Sequence, residues 1–355
     1  MEIKLDLSQE LKNFANKDNQ YTIPIFIPHK GCPNNCVFCN QKKISGQMED
    51  VTIEDVDNKI KEYLGYYNNT SKKIEIAFFG GSFTGIDVDL QISYLQVANK
   101  YISDGKVDSI RISTRPDYIN EEILDMLKKY NVKTIELGVQ SMDEKVLEVS
   151  RRGHTADDVR KASNLIKAYG IRLGHQIMIG LPESTLETEI YTIKECLKLE
   201  PKQLRIYPVY VIEDSELYAM YKNSVYKPLS IKEAVSRCSK VIEECAKTDV
   251  AIIRLGLQST EDITIANSNI FGPVSDNLAE YVMAEIVRKK IDKILIDKSI
   301  KEDIIIYVKK QYVSICIGPK KINKIYFEQK YNVKYIVKGE IWWKKLCLLQ
   351  VQVDT

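Results

Sequence analysis

Four shortages bound what this chain can be. No apolar run in its 355 residues approaches the roughly 18–20 residues that cross a bilayer, which sets aside a membrane-spanning protein. The opening stretch, Met1 to Gln20, is polar and lacks an apolar secretory core, so a cytoplasmic protein is expected. Histidine is scarce, with three residues, and only His29 lies near a group of cysteines. Charge of one sign is not in excess either. The 51 Lys and Arg face 49 Asp and Glu, a net +2, so any strongly basic surface must be local. The 44% hydrophobic and 28% charged content are those of a globular protein, and the length allows a large core plus an appendage.

What is present is concentrated. Three of the eight cysteines, Cys32, Cys36 and Cys39, fall in the string from His29 to Asn40 with the spacing C-x3-C-x2-C. Three clustered thiols cannot pair off, and free thiols suit a reducing compartment, which argues against a disulfide framework. Zinc stays open as an alternative, but a structural zinc site needs a fourth ligand and His29 is the one histidine at hand. Cysteine thiolates are the usual ligands of an iron–sulfur cube, and three of them leave one iron free to bind a substrate or cofactor. The loop follows Ile23-Pro24-Ile25-Phe26-Ile27, which reads as a buried strand. Cys238 and Cys245 sit on a helical pattern and read as core residues, and no chemistry is assigned to Cys196, Cys316 or Cys347.

After that loop, strand-like and helix-like segments alternate. Ile74–Phe79 ends at Gly80-Gly81, Ser109–Thr114 at Arg115-Pro116, and Thr134–Val139 at Gln140-Ser141. Arg172–Ile179 ends at Gly180-Leu181-Pro182, and Gln203–Tyr207 leads into Pro208. Helical patterns at Glu121–Tyr130, Ala156–Tyr169 and Leu186–Leu199 lie between them, a further helix covers Pro228–Thr248, and Val250–Leu257 reads as another strand. The repeat predicts an α/β fold, a partial TIM-like (βα)6 barrel, with a doubly wound sheet as the alternative. Ligands of either fold sit at the carboxyl ends of the strands, and the unusual residues gather there. The turn-rich stretch from Ala266 to Pro273 predicts a boundary between a barrel over 1–265 and a small α/β domain over 276–355. From Arg288 to Lys345 there are 16 Lys and Arg against 6 Asp and Glu, a hint of a nucleic-acid-binding appendage; a lysine-rich solvated surface is the plainer reading.

Together these residues resemble the radical S-adenosylmethionine superfamily, whose signature is a C-x3-C-x2-C loop after the first strand of a partial barrel. The resemblance implies a [4Fe–4S] cluster on Cys32, Cys36 and Cys39, with the open iron chelating S-adenosylmethionine. Electron transfer from the cluster, fed by a flavodoxin- or ferredoxin-type donor, then yields a 5′-deoxyadenosyl radical. It also implies cofactor contacts from Gly80, Gly81 and Ser82, and from Gln140 and Arg152 by likeness to oxygen-independent coproporphyrinogen III oxidases. Ser113 stands where those relatives carry a glutamate. A guanidinium such as that of Arg152 can grip a carboxylate with two parallel hydrogen bonds.

Thr114–Tyr118, Glu136–Ser141, Arg152–Thr155 and Leu204–Val209 resemble the radical domain of the Elongator catalytic subunit more closely still. That likeness implies a tRNA or other RNA substrate. Elongator subunits have a longer gap between their first two cluster cysteines. The roughly 90 residues after 265 are too few for the acetyltransferase fold that follows in Elongator, so the acetyl-CoA half of that reaction has no support in this sequence.

In the tail, strand-like Ile304–Lys309 and Tyr312–Ile317 precede Gly318-Pro319-Lys320-Lys321, then a helix-like Ile322–Tyr331 and a strand-like Val333–Val337. The order loosely resembles a KH module, whose G-x-x-G loop clamps nucleotide backbone, with Lys321 where the second glycine would be. Lys320, Lys321 and Lys324 are the candidate phosphate contacts. Tyr207 and Tyr210 are candidates to face the substrate or relay a hydrogen atom, with the barrel wall as the plainer place for them. His154 belongs to the family-matched stretch, and His175 reads as a core residue. The expected function is radical chemistry on RNA. A small-molecule substrate such as a porphyrinogen, or a non-catalytic iron–sulfur RNA-binding protein, are the alternatives.

Overall fold

The computed structural model describes residues 1–15, 20–27, 36–39, 51–67, 70–257 and 269–340. Its twelve strands among these residues are β1 (Glu2–Lys4), β2 (Gln20–Ile27), β3 (Lys73–Gly80), β4 (Ser109–Thr114), β5 (Val132–Gln140), β6 (Arg172–Ile179), β7 (Gln203–Pro208), β8 (Val211–Ile212), β9 (Ala251–Leu255), β10 (Ile270–Phe271), β11 (Ile304–Lys309) and β12 (Tyr335–Glu340). Seven of them form one parallel sheet in the order β2-β3-β4-β5-β6-β7-β9, so spatial order follows chain order, with β8 set aside to pair with β10. Parallel neighbours need a crossover, and helices supply it. The sheet curls into a half-barrel; the predicted six units become seven strands because the run after Val250 joins it as β9.

Local chemistry starts the helices. Thr52 with Asp55, Thr155 with Asp158, Thr185 with Thr188, and Ser230 with Glu233 each form a capping box that satisfies backbone donors at both ends of the first turn. Outward residues of the strands, such as Ile112, Leu137, Ile177 and Ile206, are fully buried under these helices.

The inner face is polar. Glu75, Arg111, Glu136 and Arg205 stand on β3, β4, β5 and β7, and are joined across the sheet. Arg111 Nε donates to Glu75 at 2.6 Å, Arg111 Nη1 to Glu136 at 3.4 Å, and Arg205 Nε to Glu136 at 2.8 Å. Gln20 and Thr134 add donors to Glu75 at 3.0 and 3.4 Å.

A second, three-stranded parallel sheet has the order β1-β11-β12. Glu2–Lys4 therefore belong with the C-terminal sheet. The helix Leu278–Leu295 serves both cores: Leu278, Val282 and Ile286 pack with the barrel, and Val287, Ile291 and Leu295 with the second sheet.

Between β11 and β12 the structure corrects one expectation. Val313–Ile317 is a helix, not a strand. β-branched residues favour a strand locally, but β11 and β12 are parallel neighbours, and a strand between them cannot serve as the crossover. The last strand also begins two residues later than expected, at Tyr335, after Asn332 closes the preceding helix in a left-handed conformation.

Two measurements check this architecture. Replacing Arg111 by Met strands the Glu75 carboxylate in the interior, and urea unfolding is expected to show a loss of roughly 3–5 kcal/mol. His175 on β6 is fully buried, with Nε2 2.9 Å from Ser163 Oγ, and burial pushes its pKa from 6.5 down to about 3. Between those two values the unfolded chain takes up a proton that the folded chain refuses. Stability present above pH 6.5 is therefore lost as pH falls toward 3. Urea midpoints followed from pH 7 to 4 should fall, and His175→Asn should flatten the slope by up to about 1.4 kcal/mol per pH unit.

Candidate active site

The strands deliver their special residues to one end of the half-barrel. Beyond the end of β2, the described part of the cysteine loop is Cys36 to Cys39; Cys32 lies outside the described residues. Cys39 N donates to Cys36 O at 2.9 Å, closing the C-x2-C turn. The turn is pinned on both sides. Val37 N donates to Ser150 O at 3.2 Å, and Leu217 N donates to Val37 O at 2.7 Å. Val37 itself is buried with Val146, Leu181, Val209 and Leu217. The turn is thus held by segments following β5 and β7.

Arg152 connects this turn to β5. Its Nη1 donates to Cys36 Sγ at 3.1 Å and its Nη2 to Gly138 O at 2.7 Å, while the buried Nε has no partner among the described residues. At the end of β5 the register with β6 slips between Gly138 and Gln140, and Gln140 takes a φ of +65°. A bulge of this kind re-aims a side chain. Gln140 Oε1 accepts from Gln176 Nε2 at 3.3 Å. Gly138 has to be small: a Cβ there would lie 2.9 Å from Gln140 Nε2 and 3.4 Å from Arg152 Nη2. His154 Nε2 lies 3.2 Å from Val139 O. Burial, then the charges of Arg152 and Arg115, push the His154 pKa down to about 3, so it is neutral at ordinary pH.

At the end of β3, Gly80 has a φ of +110°, and a Cβ there would stand 2.4 Å from Ile27 O. Gly81 N donates to the same carbonyl at 3.0 Å, which ties the Gly-Gly turn to β2 just ahead of the cysteine loop. Ser82 Oγ is 2.8 Å from Thr114 Oγ1 and accepts from Arg115 N at 3.2 Å, so this hydroxyl joins the ends of β3 and β4. Ser113 Oγ is buried with no partner among the described residues.

The tyrosines part company. Tyr207 shares a strand face with Arg205, whose Nη1 donates to its hydroxyl at 3.1 Å, and burial raises its pKa above the ordinary phenol range. Tyr210 is buried in an apolar cluster with Ile212, Leu257, Ile270 and Val274. Lys320, Lys321 and Lys324 fall on the second unit, in and after a turn between two helices.

The ladder Glu75–Arg111–Glu136–Arg205, with the Phe79 ring 5.1 Å from the Arg205 guanidinium, was missed from sequence. The signal was available. Ser109–Ser113, Thr134–Gly138 and Gln203–Tyr207 each alternate strictly between non-aliphatic and aliphatic residues. A parallel strand buried on two apolar faces would not.

Two family models match the chain: the radical SAM superfamily over residues 26–196, and the radical SAM C-terminal domain over 201–288. The tRNA uridine(34) acetyltransferase of Methanocaldococcus jannaschii is 32% identical over 194 residues, 49% of this chain and 36% of that protein. Elongator complex protein 3 of Saccharomyces cerevisiae is 33% identical over 163 residues, 45% of this chain and 28% of the relative. An uncharacterized protein of M. jannaschii is 29% identical over 64% of this chain and 72% of its own length. The chain thus spans only about a third of the two named relatives. Among solved structures, the archaeal Methanocaldococcus infernus Elp3 with an N-terminal deletion superposes with a TM-score of 0.58 at 24% identity, over 77% of this chain and 64% of that one, and so shares the fold. With two family models running almost end to end from residue 26 to 288, on a sheet whose strand ends carry the cysteine turn and the Gly-Gly turn, this chain belongs to the radical S-adenosylmethionine superfamily, whose cofactors are a [4Fe–4S] cluster and S-adenosylmethionine.

Proposed function

We propose that this chain is a radical S-adenosylmethionine enzyme acting on RNA, with a tRNA uridine as the target base. The observation that carries the radical reading is Arg152, which reaches from Gly138 O to Cys36 Sγ and so couples the cysteine turn to the bulged end of β5. The RNA target is supported by the relative named tRNA uridine(34) acetyltransferase, and by the resemblance of the strand-end motifs to the Elongator catalytic subunit. Acetyl transfer is not carried over, because the match spans 36% of that relative.

The residues fit the two cofactors. Cys32, Cys36 and Cys39 would supply three thiolates. The ligand sulfur of Cys36 already accepts a hydrogen bond, the kind of outer contact that tunes a cluster. Arg152 Nε and Ser113 Oγ are buried polar atoms without partners among the described residues, and an amino-acid head group brings the carboxylate and amine to meet them. Gly138 leaves room beside Gln140 and Arg152, and the Gly80-Gly81 turn offers backbone where a side chain would collide. Bound together, the cluster and S-adenosylmethionine supply a 5′-deoxyadenosyl radical when one electron arrives from a flavodoxin- or ferredoxin-type donor.

The chain's own residues then position and exclude. The ladder from Glu75 to Arg205 stiffens the inner wall, and Arg205 orients the Tyr207 hydroxyl. With its pKa raised, Tyr207 stays a neutral phenol, able to donate a hydrogen bond to a base carbonyl or amide.

The test is anaerobic. After cluster reconstitution, 5′-deoxyadenosine formation should rise when bulk tRNA is added, and Cys36→Ala should abolish both iron retention and cleavage. Bound zinc in place of iron would sink the radical reading, whereas cleavage indifferent to tRNA would point to a small-molecule substrate. A binding measurement needs no turnover. Gly138→Ala should push the Gln140 amide aside and weaken S-adenosylmethionine binding by about tenfold, the worth of one lost hydrogen bond, read by equilibrium dialysis at an almost unchanged melting temperature.

A further inference from the structure

The second unit carries a surface that the barrel chemistry does not use. Its helices Val313–Ile317 and Ile322–Tyr331 are joined by Gly318-Pro319-Lys320-Lys321. Gly318 has a φ of +76°, and a Cβ there would lie 2.7 Å from Ile322 Cγ2 and 3.3 Å from Asn323 N, so the position demands glycine. Lys320 and Lys321 follow with φ of 51° and 60°, two consecutive side-chain-bearing residues in the left-handed region. Glycine or asparagine would adopt that conformation at least cost, yet lysine occupies both positions. Such outliers persist only where the surroundings hold them. Here Lys321 N donates to Gly318 O at 3.0 Å, and the buried Asn323 anchors the turn by donating to Ala284 O at 2.9 Å.

The turn is a rigid cationic edge. Both lysines are exposed, and neither has an ion-pair partner among the described residues. Residues 309–327 hold five lysines and no carboxylate. Beside the turn, Ile322 and Ile325 are 38% and 47% exposed, and Lys324 reaches Glu328 only at 3.8 Å. Fixed positive charge next to exposed aliphatic side chains matches a strand of phosphates with bases turned toward the protein.

We propose that the Gly318–Lys321 turn, with Ile322, Lys324 and Ile325, is a docking site for a single-stranded segment of tRNA. The proposal rests on the RNA-directed reading above and adds where RNA is held outside the barrel. Lys320 and Lys321 neutralise adjacent phosphates, and Ile322 and Ile325 meet sugar or base faces. Acting through charge and shape, the site tolerates different sequences.

The test uses the full chain with labelled bulk tRNA, followed by fluorescence anisotropy from 50 to 200 mM salt. Paired charge reversal, Lys320→Glu with Lys321→Glu, should weaken binding on the order of tenfold or more and lower the salt slope by about two. Paired Lys320→Gly with Lys321→Gly removes the same charges in a backbone glycine accepts readily, so a similar loss there excludes misfolding as the cause. In both variants, 5′-deoxyadenosine formation without RNA should equal that of the parent. If the parent binds tRNA and both variants bind as tightly with the same slope, the turn is not the site, although the RNA reading stands. If the parent binds no tRNA at 50 mM salt, the docking site and the RNA reading fall together.

Discussion

Four charged side chains spanning β3 to β7 form the constraint on which this interior depends. Glu75, Arg111, Glu136 and Arg205 alternate in sign around the inner wall of the half-barrel, so each carboxylate has at least one guanidinium within hydrogen-bond reach. A buried charge left unpaired costs several kcal/mol, so the ladder acts as a register lock: slipping one strand by a residue would turn its charge into the apolar layer beneath the helices. The same ladder leaves the inner wall polar along the middle and amino-terminal part of the strands, behind the ends that present the cysteine turn, the Gly-Gly turn and the β5 bulge.

The site is built from contacts among loops rather than from one motif. Ser82 ties β3 to β4 through Thr114 and Arg115, Gly81 ties β3 to β2 through Ile27, and Arg152 ties β5 to the cysteine turn. His154, held neutral by burial and by its cationic neighbours, lies within hydrogen-bond distance of the carbonyl of Val139 inside the bulge. Each tie crosses between different βα units, so the geometry at the cysteines is sensitive to the packing of the whole half-barrel. Arg152 bonds the Cys36 sulfur and the Gly138 carbonyl, and its buried Nε–H has no partner among the described residues.

The sheet of the second unit joins the first residues of the chain to the last described strand. β1 pairs with β11, and the N-terminal ammonium donates to Asp303 O at 2.7 Å, so the first residues close the sheet that the last described ones complete. The helix Leu278–Leu295 divides its apolar residues between the two cores, which makes it the mechanical link between barrel and second sheet.

Read alone, the sequence determined the parts whose logic is local. Cysteine spacing over eight positions, glycine pairs at strand ends and the alternation of strand and helix are all short-range, and the structure places the described ones where that reading put them, Arg172–Ile179 to the residue. Tertiary structure decided everything that depends on partners distant in the chain. Arg152 meets Cys36 across 116 positions, and Arg205 meets Glu136 across 69. Val313–Ile317 became a helix against its β-branched composition because its parallel neighbours required a crossover. Glu2–Lys4 joined a sheet some 300 residues away because β11 offered an edge there. Propensity and spacing act over a few residues, whereas the pairing of buried charges and of strand edges is settled only when the whole chain has folded around them.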